Sequence, residues 1–114
     1  MLRRIALALL ILAFCAAPVS AAGHSRYTIV ADQSTIPLGQ DSVRLTGCGY
    51  TPGRYIWVRS LYPSGAESWN LVTPGADGCF ETWGAAVALG EWTYTANHFK
   101  SGTVLASTTA TVVP

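Results

Sequence analysis

The stretch that decides the fold is a bend with the sequence Thr46-Gly47-Cys48-Gly49-Tyr50-Thr51-Pro52-Gly53. Residues 43–46, just before the bend, alternate apolar and polar side chains, which is the period of a half-buried strand. Residues 55–58, just after it, read Tyr-Ile-Trp-Val and predict a second strand, since they are aromatic or β-branched. Three glycines and a proline between the two strands are typical of a chain that turns and crosses. The bend therefore predicts a β-sandwich. It does not indicate an enzyme reaction or a ligand.

The same kind of strand signal recurs along the rest of the chain. It predicts seven short strands, at 26–31, 42–46, 55–61, 67–73, 79–87, 90–96 and 103–113. An additional edge strand at 35–38 is an open alternative. Turn-forming residues at 62–65 separate the third strand from the fourth, and those at 74–78 separate the fourth from the fifth. Because no helical period and no βαβ unit occur beyond the N-terminal segment, we predict an all-β antiparallel sandwich of about seven strands.

The N-terminal segment has the three parts of a secretory signal peptide. It begins with a basic Met1-Leu2-Arg3-Arg4, continues with an apolar run at 5–17, and ends with small residues at 19–22. A membrane anchor is the competing interpretation, but about 13 apolar residues are short against the roughly 20 that a spanning helix needs. We therefore predict a signal peptide at 1–21 and a secreted domain at 22–114.

The net charge of residues 22–114, which remain after removal of the signal peptide, limits the classes of partner that are expected. Residues 22–114 contain five basic and six acidic residues, a net charge of −1, and no basic stripe. Nucleic acid is therefore excluded as an expected partner, because its binding needs a basic surface. We expect no membrane contact once the signal peptide is removed.

The cysteines of the secreted domain predict one disulfide. Cys15 lies in the signal peptide, so that Cys48 and Cys79 remain as a pair in an oxidising compartment. Zinc is the rival explanation, but two isolated thiols without a CxxC motif or a nearby histidine are a poor zinc site. We predict that Cys48 and Cys79 are bonded.

Three motifs in this chain resemble the landmarks of bacterial immunoglobulin-like domains: Gly47-Cys48-Gly49-Tyr50-Thr51-Pro52-Gly53, Asp77-Gly78-Cys79-Phe80, and Gly90-Glu91-Trp92-Thr93-Tyr94-Thr95-Ala96. The resemblance extends over 27–113 and implies an immunoglobulin-like sandwich. Members of that family usually have a small residue where Cys48 and Cys79 stand, and the joint replacement indicates that the two turns touch. Such domains serve as adhesin stalks, enzyme appendages and ligand carriers, so the resemblance implies little about function.

No residues in the sequence are arranged as catalytic machinery. His24 and His98 have no nucleophile elbow or orienting carboxylate near them, and the acidic residues are scattered through turns and strand edges. We therefore predict no enzyme activity, no cofactor and no metal site. One alternative for a metal is Cu(II) at His24, because cleavage after Ala21 would leave His24 as the third residue of a new N-terminus, with four nitrogen ligands.

The aromatic residues give the sharpest functional signal. If Ile56 and Val58 face the core, then Tyr55, Trp57 and Arg59 lie on the opposite face of the sheet, where they could bind a ligand or partner. Trp69 shares parity with Leu71, so we expect it to lie inside. The resemblance implies that Trp92 and Tyr94, which share parity with Ala96, are core positions, while the orientation of Trp83 stays open. The competing interpretation is that most of the rings, with Trp57 partly covered, are simply core.

Two classes of function are compatible with these observations. The first is a secreted non-enzymatic module for recognition or structure, whose partner is an extracellular protein, a glycan or a small apolar ligand, bound through Tyr55, Trp57 and Arg59. The second is a small-ligand carrier that resembles the apoproteins of the neocarzinostatin type. Those carriers typically have two disulfides and a deep cleft, whereas this sequence offers one cysteine pair.

Overall fold

The computed structural model describes residues 26–114, which form eight β-strands. The strands are β1 (Val30–Ala31), β2 (Thr35–Pro37), β3 (Asp41–Gly47), β4 (Ile56–Leu61), β5 (Glu67–Val72), β6 (Phe80–Ala86), β7 (Gly90–His98) and β8 (Val104–Val113). The signal peptide predicted at 1–21 and the alternative copper site at His24 lie outside the described residues.

The eight strands form two sheets that pack as a sandwich. One sheet has three strands in the order β1-β3-β6, and the other has five in the order β2-β8-β7-β4-β5. The pairs are antiparallel except for β2 and β8, which are parallel. β5 pairs with β4, which widens the larger sheet and leaves β5 at its edge.

The predicted fold class is confirmed, and the differences lie at strand ends. The optional edge strand at 35–38 exists as β2, which is why eight strands occur instead of about seven. The first predicted strand shortens to Val30–Ala31, and the sixth extends to His98. Among residues 26–114, no helix is long and apolar enough to span a membrane.

The core lies between the sheets and follows the period of two in each strand. Val43 and Leu45 on β3 are fully buried and face Trp92 and Tyr94, which are fully buried on β7. The prediction that Trp92 and Tyr94 lie inside is therefore confirmed. The indole nitrogen of Trp92 donates a 2.9 Å hydrogen bond to the backbone oxygen of Ala88, so that this large ring is buried without an orphaned donor.

Tyr94 connects the two sheets. Its hydroxyl donates a 2.7 Å hydrogen bond to the backbone oxygen of Ala85 on β6. Its ring packs so closely against Gly84 that a Cβ atom at that position would lie only 2.7 Å from the ring. A glycine on β6 thus makes room for a buried ring on the opposite sheet.

The predicted disulfide between Cys48 and Cys79 is confirmed. Gly47, the last residue of β3, pairs with Phe80, the first residue of β6. Cys48 and Cys79 lie one position beyond this pair. The disulfide therefore joins neighbouring strands of one sheet, whereas the antibody disulfide joins two sheets.

The two turns that carry the cysteines touch, as the paired replacement indicated. The amide of Tyr50 donates a 3.1 Å hydrogen bond to the backbone oxygen of Gly78. Gly78 has φ near +79°, and a Cβ atom there would be 2.6 Å from the Tyr50 backbone oxygen. Only glycine allows this approach, since both the backbone conformation and the available space exclude a side chain.

Candidate functional site

The outward face of the five-stranded sheet carries a group of large side chains at its β4–β5 edge. Ile56 and Val58 are buried, so the alternate residues of β4, Trp57 and Arg59, point away from the core. The register places Leu71 opposite Trp57 and Trp69 opposite Arg59. We call the four outward residues Trp57, Arg59, Trp69 and Leu71 the β4–β5 patch.

The two tryptophans of the β4–β5 patch contact each other edge to face. Their ring centroids are 6.2 Å apart and their planes are 89° apart. Trp57 is half-buried, whereas Trp69 is 45% exposed and Leu71 is exposed to a similar extent. A contiguous apolar surface of this kind is typical of an interaction site, while isolated exposed apolar residues need no explanation.

The charge within the β4–β5 patch is compensated. The Nη1 atom of Arg59 lies 3.2 Å from a carboxylate oxygen of Glu67, and the guanidinium carbon lies 5.8 Å from the centre of the Trp69 ring. The Nε atom of Arg59 is buried and has no hydrogen-bond partner among the described residues. The patch is therefore nearly neutral and rigidly held, with one N–H donor unused.

The polar residues beside the patch bond to each other. Thr95 and Asn97 on β7 lie opposite Arg59 and Trp57, and both are buried. The Thr95 hydroxyl lies 2.7 Å from the Asn97 side-chain oxygen, and the Asn97 side-chain nitrogen donates to the backbone oxygen of Gly102 at 3.0 Å. Because these groups are already bonded, the patch presents mainly apolar surface.

The expectation that Trp69 lies inside is wrong. Parity correctly places Trp69 on the same face as Leu71, but β5 points that face outward, because its register with β4 aligns Trp69 with Arg59. The inward residue between them is Asn70, whose side-chain nitrogen donates to the backbone oxygen of Trp83 at 3.0 Å. The inner side of β5 thus meets the edge of β6 through Asn70 and packs against the core through Val72, while Trp69 and Leu71 lie on the outer face.

Trp83, whose orientation the sequence left open, points outward from the smaller sheet. It lies opposite Arg44 and is 61% exposed, while Phe80 at the start of the same strand is buried. Trp83 and Trp69 both line a groove of about 280 Å³ between the edges of the two sheets. Trp83 is therefore a second exposed tryptophan close to the patch but on a different sheet.

Tyr55 does not belong to the patch, although the sequence grouped it with Trp57 and Arg59. It stands just before β4, is 49% exposed, and its ring centroid is 5.4 Å from that of Phe99 in the β7–β8 turn. Both rings line a cavity of about 470 Å³ at the end of the sandwich, and neither Trp57 nor Arg59 lines it. The structure thus divides the predicted set between two regions, and whether either region binds a partner stays a prediction.

The residues that the sequence interpretation missed are Trp69 and Leu71 in the patch and Phe99 in the cavity. The signal for Phe99 was its position, because a large aromatic residue in a turn is not required by the core. For Trp69 and Leu71 no local signal existed, since the alternation of β5 is the same whichever face is buried.

Two buried tyrosines, Tyr94 and Tyr50, have raised pKa values, and the hydroxyl of each donates a hydrogen bond to a backbone oxygen. Burial raises the pKa of Tyr94 to about 12, and burial is also the main cause of the raised pKa of Tyr50. The Tyr50 hydroxyl donates a 2.7 Å hydrogen bond to the backbone oxygen of Thr28. Both groups are structural, because each neutral hydroxyl is engaged with a backbone acceptor.

Within residues 26–114, no three His, Cys, Asp or Glu side chains gather into a group that could hold a metal ion.

Comparison with known proteins identifies the fold but no family. No family model matches the chain, and no match is found among curated proteins. Among solved structures, the chain is similar to a tetra-tandem repeat in the extending region of a large adhesion protein, with a TM-score of 0.58 and 22% sequence identity. The similarity covers 76% of this chain and 24% of the other, so the chain spans about a quarter of that structure's length. At this level of identity the similarity shows the fold alone.

Proposed function

We propose that this chain is a secreted, non-enzymatic immunoglobulin-like module that binds an extracellular protein through the β4–β5 patch. The observation that carries the proposal is the edge-to-face pair of half-buried Trp57 and exposed Trp69, continued by the exposed Leu71. Tryptophan is enriched among the residues that dominate binding energies, since it is large, rigid and amphipathic.

The electrostatics of the patch favour a protein over a glycan or a nucleic acid. Arg59 is paired with Glu67, so the patch offers an acidic or a basic partner little net charge. The partly exposed side chain of Arg59, which lies over the Trp69 ring, adds polar contact area beside the apolar tryptophan surface. An apolar centre with one arginine is a common composition for a protein interface.

The location of the patch also supports this function. It lies at the β4–β5 edge of the larger sheet, where β5 has a neighbour on one side only. The free side of an edge strand offers backbone hydrogen-bonding groups to a partner. The similar solved structure is a repeat of an adhesion protein, and the Cys48–Cys79 disulfide suits an oxidising extracellular compartment.

The proposal can be tested with a pair of tryptophan variants. The mature protein is immobilised and exposed to the extracellular proteins of its own source, in parallel with W69A and W83A. Trp83 is the matched control, because it is exposed to a greater extent than Trp69 but lies on the other sheet. We expect one retained protein to be lost with W69A and kept with W83A, and the affinity for that protein to fall by about 2 kcal/mol in W69A.

Two results would contradict the proposal. One is equal retention of every captured protein by the wild type and W69A. The other is a loss of W69A stability as large as its loss of binding, since the substitution of an exposed residue should leave the fold intact. Thermal melting of the wild type and both variants distinguishes a binding effect from a folding effect.

A further inference from the structure

A cavity at one end of the sandwich is built from segments that are distant in sequence. Its lining comes from the bend between β3 and β4, from the turn between β7 and β8, and from the segment that precedes β1. We call it the loop-end cavity and define it by Tyr27, Tyr50, Arg54, Tyr55, Phe99 and Lys100. Its volume of about 470 Å³ lies within the range of about 300 to 1,000 Å³ that is typical of small-molecule sites.

Aromatic rings form the apolar part of the loop-end cavity. Tyr55 and Phe99, both exposed, have ring centroids 5.4 Å apart, and Tyr27 and Tyr50 have theirs 5.1 Å apart. Tyr50 is held by its hydrogen bond to the backbone of Thr28 and is itself buried. The rigid rings offer flat surfaces on which a ring-shaped ligand can stack.

The charge of the loop-end cavity is positive and uncompensated. Arg54 and Lys100 line it, and none of the described residues that line it is acidic. Within residues 26–114, the salt bridges of the chain involve Arg44 and Arg59, and none involves Arg54 or Lys100. Arg54 and Lys100 thus line the cavity without a carboxylate partner, and the other described cation outside the salt bridges, Arg26, lies over the Tyr27 ring, with its guanidinium carbon 5.1 Å from the ring centroid.

The backbone around these cations is ordered by hydrogen bonds. The amide of Arg54 donates to the backbone oxygen of Thr51 at 3.1 Å, and the amide of Gly53 donates to that of Pro74 at 3.0 Å. In the other turn, the Nδ1 atom of His98 accepts hydrogen bonds from the amides of Lys100 and Ser101, at 3.1 and 3.2 Å. The backbone from which both charged side chains project is therefore ordered, which limits the entropy cost of binding an anion to the ordering of the side chains themselves.

From this combination we infer that the loop-end cavity is a binding site for a small organic anion that carries a ring. The ring stacks on Tyr55 and Phe99, and the anionic group is bound by Arg54 and Lys100. This chemistry occurs in two sources, the acidic sugar residues of glycans and free aromatic carboxylates. The site is separate from the β4–β5 patch and does not depend on the function proposed for it.

The inference can be tested with two anions and their neutral counterparts. Glucuronate and 4-hydroxybenzoate are titrated into the ¹⁵N-labelled mature protein, alongside glucose and 4-hydroxybenzyl alcohol. We expect at least one anion to shift the amide signals of residues 53–55 and 98–101, and its neutral counterpart to bind at least tenfold more weakly. Shifts with glucuronate alone support a sugar source, and shifts with 4-hydroxybenzoate alone support an aromatic acid.

Two variants separate a built site from general attraction to a positive surface. The double variant R54Q/K100Q should weaken binding of the anion at least tenfold, and Y55A should weaken it severalfold. R44Q is the matched control, because Arg44 is exposed but lies on the smaller sheet in a pair with Asp32. We expect R44Q to bind as the wild type does.

Several outcomes would overturn the inference. They are failure of both anions to bind, equal binding of an anion and its neutral counterpart, and binding that survives R54Q/K100Q. W69A should leave anion binding unchanged. Failure at the loop-end cavity can therefore be told apart from failure of the function proposed for the β4–β5 patch.

Discussion

The β4–β5 patch and the loop-end cavity include residues only two positions apart in the chain, and they differ in shape and in charge. Tyr55 belongs to the cavity and Trp57 to the patch, although two positions separate them. The patch is an edge of a sheet whose arginine is paired with Glu67, while the cavity has two cations without carboxylate partners among the described residues. Binding of different ligands is therefore proposed for similar aromatic residues, because the charge beside them differs.

The largest expected effect comes from the disulfide, which lies next to the cavity and away from the patch. C48S/C79S opens a loop with a sequence separation of 31, which should reduce the free energy of unfolding by about 3 to 4 kcal/mol. Because Tyr50 lies only two residues after Cys48, the cavity should loosen while the register of β4 and β5 persists. Urea unfolding measures the first effect, and amide hydrogen exchange of the still-folded variant measures the second. Equal loss of protection in both regions would show that the two are not independent.

An effect of about 3 kcal/mol is expected at alkaline pH, and it should involve both regions together. Burial raises the pKa of Tyr94 to about 12 from an ordinary value near 10, so the folded state binds this proton more tightly than the unfolded state does. The resulting stability is fully present below pH 10 and is lost as the pH rises from about 10 to 12. Tyr94 lies in the core and bonds Ala85 across the sandwich, so its ionisation should weaken the whole domain.

The matched control for the alkaline loss is Y94F, which keeps the ring and removes the hydroxyl. This variant should be less stable at neutral pH, because the Ala85 oxygen loses its donor, and should lose less stability between pH 10 and 12. Urea unfolding of both proteins across this range is the measurement. A stability loss of the same size in Y94F would assign the effect to another group, for which buried Tyr50, whose pKa is also raised, is the next candidate.

The smallest expected effect is that salt weakens binding more at the loop-end cavity than at the β4–β5 patch. Between about 50 and 500 mM salt, anion binding at the loop-end cavity should weaken severalfold, because Arg54 and Lys100 are exposed and are screened. Partner binding at the β4–β5 patch should change by less than about twofold, since its one ion pair contributes roughly 0 to 1 kcal/mol. Titrations at both salt concentrations check this, and an equal salt response would remove the electrostatic distinction between the two regions.

Local sequence patterns predicted the inward faces of the strands well. The alternation around Ile56 and Val58 was correct, as was that around Trp92 and Tyr94, because a strand exposes alternate residues to the same environment. The same pattern predicted the wrong face for Trp69, since alternation shows which residues share a face and not which face is buried. Asn70, which alternates with Trp69 and Leu71, bonds to β6 through its side-chain nitrogen, a contact between residues far apart in sequence that the local pattern does not show.

The sequence by itself determined the all-β sandwich, the turns and the cysteine pair, because these follow from the period of side chains, the conformations of glycine and proline, and the count of cysteines. The tertiary structure decided the composition of both candidate sites. Tyr55 meets Phe99 and Lys100 in a cavity, and Trp57 meets Trp69, only because the register of β4 with its neighbours brings them together. Periodicity is a local property of the chain, whereas register and loop packing depend on residues far apart in sequence.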